Sequence, residues 1–454
     1  MFPEDVVLAI FDYCAGQDGF YEEEIEEWQT LLHVCHRWRI IVLGSPRRLN
    51  LRLVCTPTTP ARDRLDIWPP LPLFIRCHYT REETVENVLA VLEHSNRVYQ
   101  ISLVTLNFEK ISAAMEVPFP ELTDLMLLSE DKTEQVFPFP DSFLGGSAPR
   151  LRELYFHDIS FPGLPNLLLS ATHLTDLSLF NIPHSGYFSP EGIIAALSSL
   201  NSLGCLQLEF RSPLSRPHRR PPHTTRFAFP ALTFFRFKGA SEYLEDLVVR
   251  IDAPRLDKLR ITFFNQIIFH TPQFIQFIGR TPTLEASEEA RIIFEDGASR
   301  INFSSISSQT SDFGYSEVKI PCNELDWQVS SLEQVFTSCL PHLSTLEGLS
   351  IDAPRGWQPD WQDNVESTLW LDLLLPFTTV KNLYLCEVFA RRIVPALEEL
   401  VEDRRTEVLP ALKNIFLEGL EPSEPVEKGI GQFVAMRQVT SHPVAVTRWD
   451  RSPP

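Results

Sequence analysis

The stretch LLHVCHRWRIIV, residues 31 to 42, sets Cys35 between His33 and His36. Thiolate and imidazole are zinc ligands, but a zinc site needs about four of them converging on one ion. No second Cys/His cluster with ligand spacing occurs in the 454 residues, so the sequence predicts no metal site. Helical spacing offers a different reading. Leu31, Val34, Cys35, Trp38, Ile41 and Val42 recur at i, i+3/4, i+7 and i+10/11, which places them on one apolar face of a helix, with His36, Arg37 and Arg39 opposite. Local catalytic signatures are missing as well: the chain has no GxSxG, GxGxxG, HExxH or phosphate-binding GxxxxGK motif. The expectation is therefore no catalytic residue, no cofactor and no enzyme, leaving open only residues that meet from distant positions.

The segment that must position this helix begins the chain. FPEDVVLAIFDYC reads as a short helix, with Pro3 in the first turn, Glu4 and Asp5 at the positive end of the dipole, and Val6, Val7, Ile10 and Phe11 as an apolar stripe. The two glycines and the acidic run of AGQDGFYEEEIEE then break it. Phe2 to Phe11, followed by Val34, Cys35, His36, Arg37 and Trp38, resembles the F-box, whose usual pattern is LPxExxxxIF and a later VCxxW. The resemblance covers about the first 45 residues, with Phe2 standing where Leu is usual. It implies an all-α three-helix module that docks on a Skp-family adaptor of a cullin-type ubiquitin ligase. The residues it would use are Phe2, Pro3, Val6, Ile10, Val34, Cys35 and Trp38. A module this short buries little surface alone, so the alternative is that these helices cap the remainder of the chain.

The chain beyond this module is repetitive. L-x-x-L-x-L, with apolar replacements, returns at 98, 122, 151, 174, 203, 232, 256, 346, 380 and 412, mostly 23 to 34 residues apart. That period on that pattern signals leucine-rich repeats, each a strand plus a helix, stacked as an α/β solenoid. TREETVENVLAVLEH carries a Thr80/Glu83 capping box, and SPEGIIAALSSL and TPQFIQFIGR open with a cap followed by Pro, all helix starts. The repeats resemble the degenerate arrays of F-box proteins, including the large families of mushroom-forming fungi. Where an Asn is usual, they carry Ile159, Ile182, Ala240, Phe264, Val388 and Leu420. Between 285 and 340 the pattern fades to ARIIFED, RINFS and YSEVKI, three possible strands. The expected organisation is a helical module at 1–50, a transition at 51–79, the solenoid at 80–420 and a C-terminal cap and tail at 421–454.

Alternation along each strand buries the second and third pattern residues and sends the one between them to the concave face. That row reads Met126, Tyr155, Ser178, Gln207, Arg236, Arg260, Ser350, Tyr384 and Phe416. Aromatic and Arg side chains dominate protein interface energetics, so the row is the expected site for an unknown protein substrate. With 60 acidic against 40 basic residues and a net charge of −20, nucleic acid and anionic membrane are disfavoured partners. The basic, Pro-rich RSPLSRPHRRPPHTTR at 211–226 reads as a surface insertion. The eight cysteines are scattered without a CxxC pair, as reduced thiols are. No apolar run reaches the length of a membrane span, and the acidic start lacks the basic region of a secretory signal. The expected location is intracellular, in cytoplasm, nucleus or both.

Overall fold

A computed structural model describes residues 3–14, 27–44, 53–56, 65, 70–77, 82–105, 108–129, 138–213, 225–265, 269, 271–284, 287–304, 316–339, 345–354, 365–400, 407–418 and 424–449. The chain divides into two compact units, Met1–Leu203 and Gly204–Pro454. Phe2, Thr80, Leu420 and most of the basic 211–226 stretch lie outside the described residues.

The first unit starts with three helices, α1 (Glu4–Cys14), α2 (Glu27–Val34) and α3 (His36–Gly44). The single helix expected over 31–42 is two, because the chain turns at Cys35. Cys35 caps α3: its Sγ accepts the Trp38 N–H at 3.5 Å and its carbonyl accepts the Arg39 N–H at 3.1 Å. Arg39 Nε donates to the Leu32 carbonyl at 3.2 Å, which serves the otherwise unpaired end of α2. Leu31, Leu32, Ile41 and Val42 are buried, as are Val7, Leu8 and Phe11 of α1. Trp38 lies edge-on to Phe11 with ring centroids 4.8 Å apart. The turn therefore divides the predicted apolar face, leaving Val34 and Cys35 exposed.

Strands and helices then alternate. β1 (Leu53–Cys55), β2 (Leu73–Cys77), α4 (Glu82–Leu92), β3 (Val98–Thr105), α5 (Phe108–Ala114) and β4 (Asp124–Ser129) come first. β5 (Glu153–His157), α6 (Leu164–Leu168), β6 (Asp176–Ile182) and α7 (Pro190–Leu197) come next. Strands β1 to β6 pair in sequence order, all parallel. The register aligns Ile101, Leu125, Leu154 and Leu177 across four strands, and all four are buried. A slip of one residue would turn each of these to the other face. Helix α7 starts as its sequence dictates, with Pro190 in the first turn and Ser189 Oγ accepting the Gly192 N–H at 3.0 Å.

The second unit continues the alternation. It contains β7 (Cys205–Phe210), β8 (Phe227–Ala228), β9 (Phe234–Gly239), α8 (Ser241–Val248), β10 (Ile251–Asp252), β11 (Lys258–Phe263) and α9 (Pro272–Gly279). Next come β12 (Glu289–Glu295), β13 (Ala298–Ser304), β14 (Ser316–Pro321), α10 (Leu325–Cys339), β15 (Gly348–Asp352), α11 (Ser367–Leu374) and β16 (Asn382–Leu385). The unit closes with α12 (Glu387–Glu398), β17 (Asn414–Glu418), α13 (Glu424–Val439) and β18 (Ala445–Trp449). The strands of its main sheet order as β7-β9-β11-β14-β13-β12-β15-β16-β17-β18, with β8 and β10 as a separate pair.

The stretch where the pattern fades holds three strands, and one of them runs backwards. Asp296 and Gly297 form a two-residue turn, with Gly297 at φ 73°, a left-handed conformation that glycine takes without a side-chain clash. β13 is therefore antiparallel to β12 and β14, whereas β14 is parallel to β11 and β12 to β15. Within the expected C-terminal cap and tail, residues 424–449 form a helix and a strand, and β18 pairs in parallel with β17. Its first four residues are exposed, so the strand has no apolar pattern to keep.

Neighbouring repeats complete each other's helix ends. Thr271 makes no side-chain cap for α9; instead the buried Glu245 of α8 accepts the Gln273 and Phe274 N–H groups at 2.9 and 2.8 Å. In return Arg280, after α9, donates to the carbonyl of Val248 at the end of α8 and to that of Ile251 at the start of β10. Burial lowers the Arg280 pKa, the Arg226 charge lowers it further, and Asp252 opposes both. Removing the Glu245 carboxylate leaves two helix N–H groups buried without an acceptor. Glu245→Ala should lower the unfolding free energy by about 2 to 3 kcal/mol in urea titrations followed by circular dichroism. Glu242→Ala, on the exposed side of the same helix, should change it by less than about 0.5 kcal/mol.

Candidate partner-binding surfaces

Two surfaces present side chains that the chain itself does not cover. The first is the corner of α1, α2 and α3. Val7, Phe11, Leu31, Leu32, Ile41 and Val42 of these helices are buried, whereas Val6 is 41% exposed, Val34 58% and Ile40 59%. Pro3 and Cys35 are exposed, and Ile10 and Trp38 half-buried. Of the residues assigned to adaptor docking, the described ones thus lie at or near this surface, and Phe2 is outside the described residues. Ile40 and Tyr13 are additional exposed apolar groups that spacing alone did not select, because a one-helix reading turned Ile40 away from the face.

The second surface is the open face of the strands, opposite the buried leucines. In the first unit the register brings Ser102, Met126, Tyr155 and Ser178 into one row. Met126 is exposed, Tyr155 half-buried and Ser178 buried, so Ser178 offers little to a partner. Tyr155 packs on Phe180 at 5.1 Å. A parallel row holds Asp124, Glu153 and Asp176. Partial burial raises the Glu153 pKa, and the two neighbouring carboxylates raise it further.

In the second unit the rows are basic at one end and aromatic at the other. Gln207, Arg236, Arg260 and Glu317 align across β7, β9, β11 and β14. Ser350, Tyr384, Phe416 and Thr447 align across β15 to β18. The Tyr384 and Phe416 rings stack with centroids 4.5 Å apart and planes at 11°, and Trp449 closes on Tyr384 edge-on at 5.4 Å. Burial raises the Tyr384 pKa, with Glu289 adding to the rise, so its hydroxyl remains a donor. Asn414 Nδ2 donates to Asn382 Oδ1 at 2.8 Å and fixes the polar side of this platform. Of the row read from the sequence, Met126 is exposed, Ser178 buried and the other seven half-buried, and the row is one line of a wider grid. Residues two places along each strand, including Lys238, Lys258, Lys319 and Trp449, share the face.

The fold also assembles a group that sequence spacing hides. Asp352, Cys386 and Glu418, at the ends of three successive parallel strands, have potential ligand atoms within 4.8 Å of one another. Arg291 holds the Asp352 carboxylate, with Nε at 3.1 Å, and the Ala353 N–H donates to it at 2.8 Å. Burial pushes the Cys386 thiol up to about 11; the Phe389 N–H opposes this, and Asp352 and Glu418 reinforce it. Elsewhere, Cys55, Cys77 and Cys322 are buried and Cys35 is exposed, all as free thiols. A small apolar crevice in the first unit, of about 10 Å³, is lined by Phe156, Phe161, Leu164, Leu179 and Phe188 among others, and no titratable side chain contributes to it.

Strands laid in parallel, each followed by a helix and each buried on alternate residues of a leucine pattern, define an α/β repeat protein. No protein-family model matches the chain, and no curated protein matches its sequence. Among solved structures it is similar to the crystal structure of the leucine-rich repeat-containing protein LegL7 from Legionella pneumophila. The identity is 12%, with 84% of this chain and 97% of that one covered and a TM-score of 0.29. The repeat assignment itself rests on strand register and burial. Among the described residues no helix is long and apolar enough to cross a membrane.

The Cys386 environment has a measurable consequence. An unfolded thiol ionises near 9.0 and this one near 11. The folded chain keeps a proton that the unfolded chain releases, so this group's contribution to stability falls as pH rises between those values. Iodoacetamide at pH 8 followed by peptide mass mapping should modify Cys35 in the folded chain and leave Cys386 intact until the pH nears 11 or denaturant is added. Equal labelling of both at pH 8 would contradict a buried, protonated thiol.

Proposed function

We propose that the chain is a non-catalytic substrate receptor of a cullin-type ubiquitin ligase. In this reading the three N-terminal helices are an F-box-like module that docks on a Skp-family adaptor, and the open strand face receives the protein to be ubiquitinated. The observation that carries it is the exposure of apolar side chains on these helices: Pro3, Val6, Val34 and Ile40 are exposed, while Val7, Phe11, Leu31, Leu32, Ile41 and Val42 are buried. Soluble chains rarely leave apolar side chains grouped in this way unless a partner covers them. The order of the FPEDVVLAIF and VCHRW segments adds the resemblance to the F-box. Function then comes from proximity, since tethering a substrate beside the ligase raises its effective concentration without new chemistry. The site of action is intracellular, where adaptor and cullin reside.

Val6 and Val34 can be changed without opening the interior, because neither is buried. The paired variant Val6→Asp/Val34→Asp should retain the far-ultraviolet spectrum and melting temperature of the parent. Its affinity for a purified Skp-family adaptor, measured by calorimetry, should fall by at least about tenfold, a loss of roughly 1.4 kcal/mol or more. Failure of the intact chain to bind any such adaptor would remove the ligase reading and favour a scaffold in which these helices cap the repeats.

A further inference from the structure

We infer that the open face of β9, β11 and β14 binds an extended, carboxylate-rich segment of a partner protein. This inference rests on the reading of the open face as a partner surface, and it specifies the partner's chemistry. Three adjacent parallel strands place Arg236 and Lys238, then Lys258 and Arg260, then Lys319, on one side of the sheet. The strand register sets Arg236 beside Arg260 and Lys319 beside Thr262. On the same side of these strands and of β7 stand two carboxylates, Glu209 and Glu317. Across the whole sequence acids outnumber bases 60 to 40; here the balance is reversed. Lys238, Lys258 and Lys319 are three of only eight lysines in the chain, so the reversal is not a sample of the average surface.

The geometry selects a polypeptide over other anions. Arg236 and Arg260 stand side by side on neighbouring strands, Lys238 and Lys319 flank Thr262 from either side, and along β9 and β11 the cations at every second residue are about 6.6 Å apart. An extended peptide with an acidic residue at every second position presents carboxylates at the same interval of about 6.6 Å. Phe234 lies beside Lys258 in the register, and the Arg260 guanidinium sits over its ring at 5.6 Å, which provides an apolar floor between the charges. The retained acids limit the site: Glu209 forms an ion pair with Arg236, and Glu295 lies 3.8 Å from the Lys319 ammonium. A nucleic-acid backbone, with a charge at every step, would run into these carboxylates and the overall charge of −20. A peptide with spaced acids can place its neutral residues there.

Fluorescence anisotropy on the full chain tests this with three labelled probes: an alternating Glu-Thr peptide of about twelve residues, the matching Lys-Thr peptide, and single-stranded DNA of similar charge. The Glu-Thr peptide should bind with an affinity that falls steeply with salt, and Lys238→Glu/Lys258→Glu should weaken it at least tenfold while leaving the circular dichroism spectrum unchanged. Lys428→Glu, on α13, serves as the charge control and should have little effect. Absence of Glu-Thr binding, equal binding of the Lys-Thr peptide, indifference to the double charge reversal, or exclusive binding of the DNA would each overturn the proposal. A photo-crosslinker at Gln207 separates this from the broader reading. A partner protein captured there in competition-sensitive fashion, but unaffected by the Lys238/Lys258 reversal, would overturn the acidic class and leave the receptor reading standing. No captured partner and no peptide binding would overturn both.

Discussion

The fold depends on one constraint: a single strand-and-helix repeat cannot satisfy its own edges. Each strand needs a neighbour for its backbone groups, and each helix leaves polar ends that must be met inside an apolar stack. Adjacent repeats meet the need with charged side chains as well as with strand pairing. Glu245 closes the start of the next helix while Arg280 closes the end of the previous one. The same logic recurs where Arg97 donates to the Leu71 carbonyl and where the fully buried Arg437 donates to the carbonyls of Val408 and Leu409. In each case burial lowers the guanidinium pKa, yet backbone oxygens keep the group engaged. Stability is thus shared between neighbours, as expected of quasi-linear repeat arrays.

This constraint also makes an open face usable. Strand pairing fixes lateral spacing and the buried leucines fix which residues point outward, so side chains far apart in sequence become neighbours at defined positions. The stacked Tyr384 and Phe416 rings and the aligned Arg236 and Arg260 belong to successive strands of one unit. Charge and aromaticity are therefore arranged by row, not by segment.

Much of this is legible in the sequence because the relevant period is short. The L-x-x-L-x-L pattern marks which residues are buried, and Leu125, Leu154, Leu177, Leu206, Leu259, Leu349 and Leu383 are all buried as alternation requires. The same alternation identifies Arg236, Tyr384 and Phe416 as facing outward, though it misses that Ser178 is covered. Features that depend on contacts between repeats are not legible. The capping role of Glu245, the meeting of Asp352, Cys386 and Glu418, and the strand at Ala445–Trp449 each join residues that no local pattern links. The reversal of β13 has a local signal in Asp296-Gly297 that the fading leucine pattern obscures. At Cys35 helical periodicity continues across a cap, since Leu31 and Ile41 are buried on either side of a turn.

If the chain is a receptor of the proposed kind, its three N-terminal helices offer an adaptor surface that is separate from the strands that hold the substrate. Hydrogen exchange of the full chain with and without a purified Skp-family adaptor reads both surfaces at once. Slowed exchange should be confined to Glu4–Cys14, Glu27–Val34 and His36–Gly44, with the strands from Val98 to Trp449 unchanged. Protection on those strands, or none on the three helices, would contradict the separation of the two surfaces.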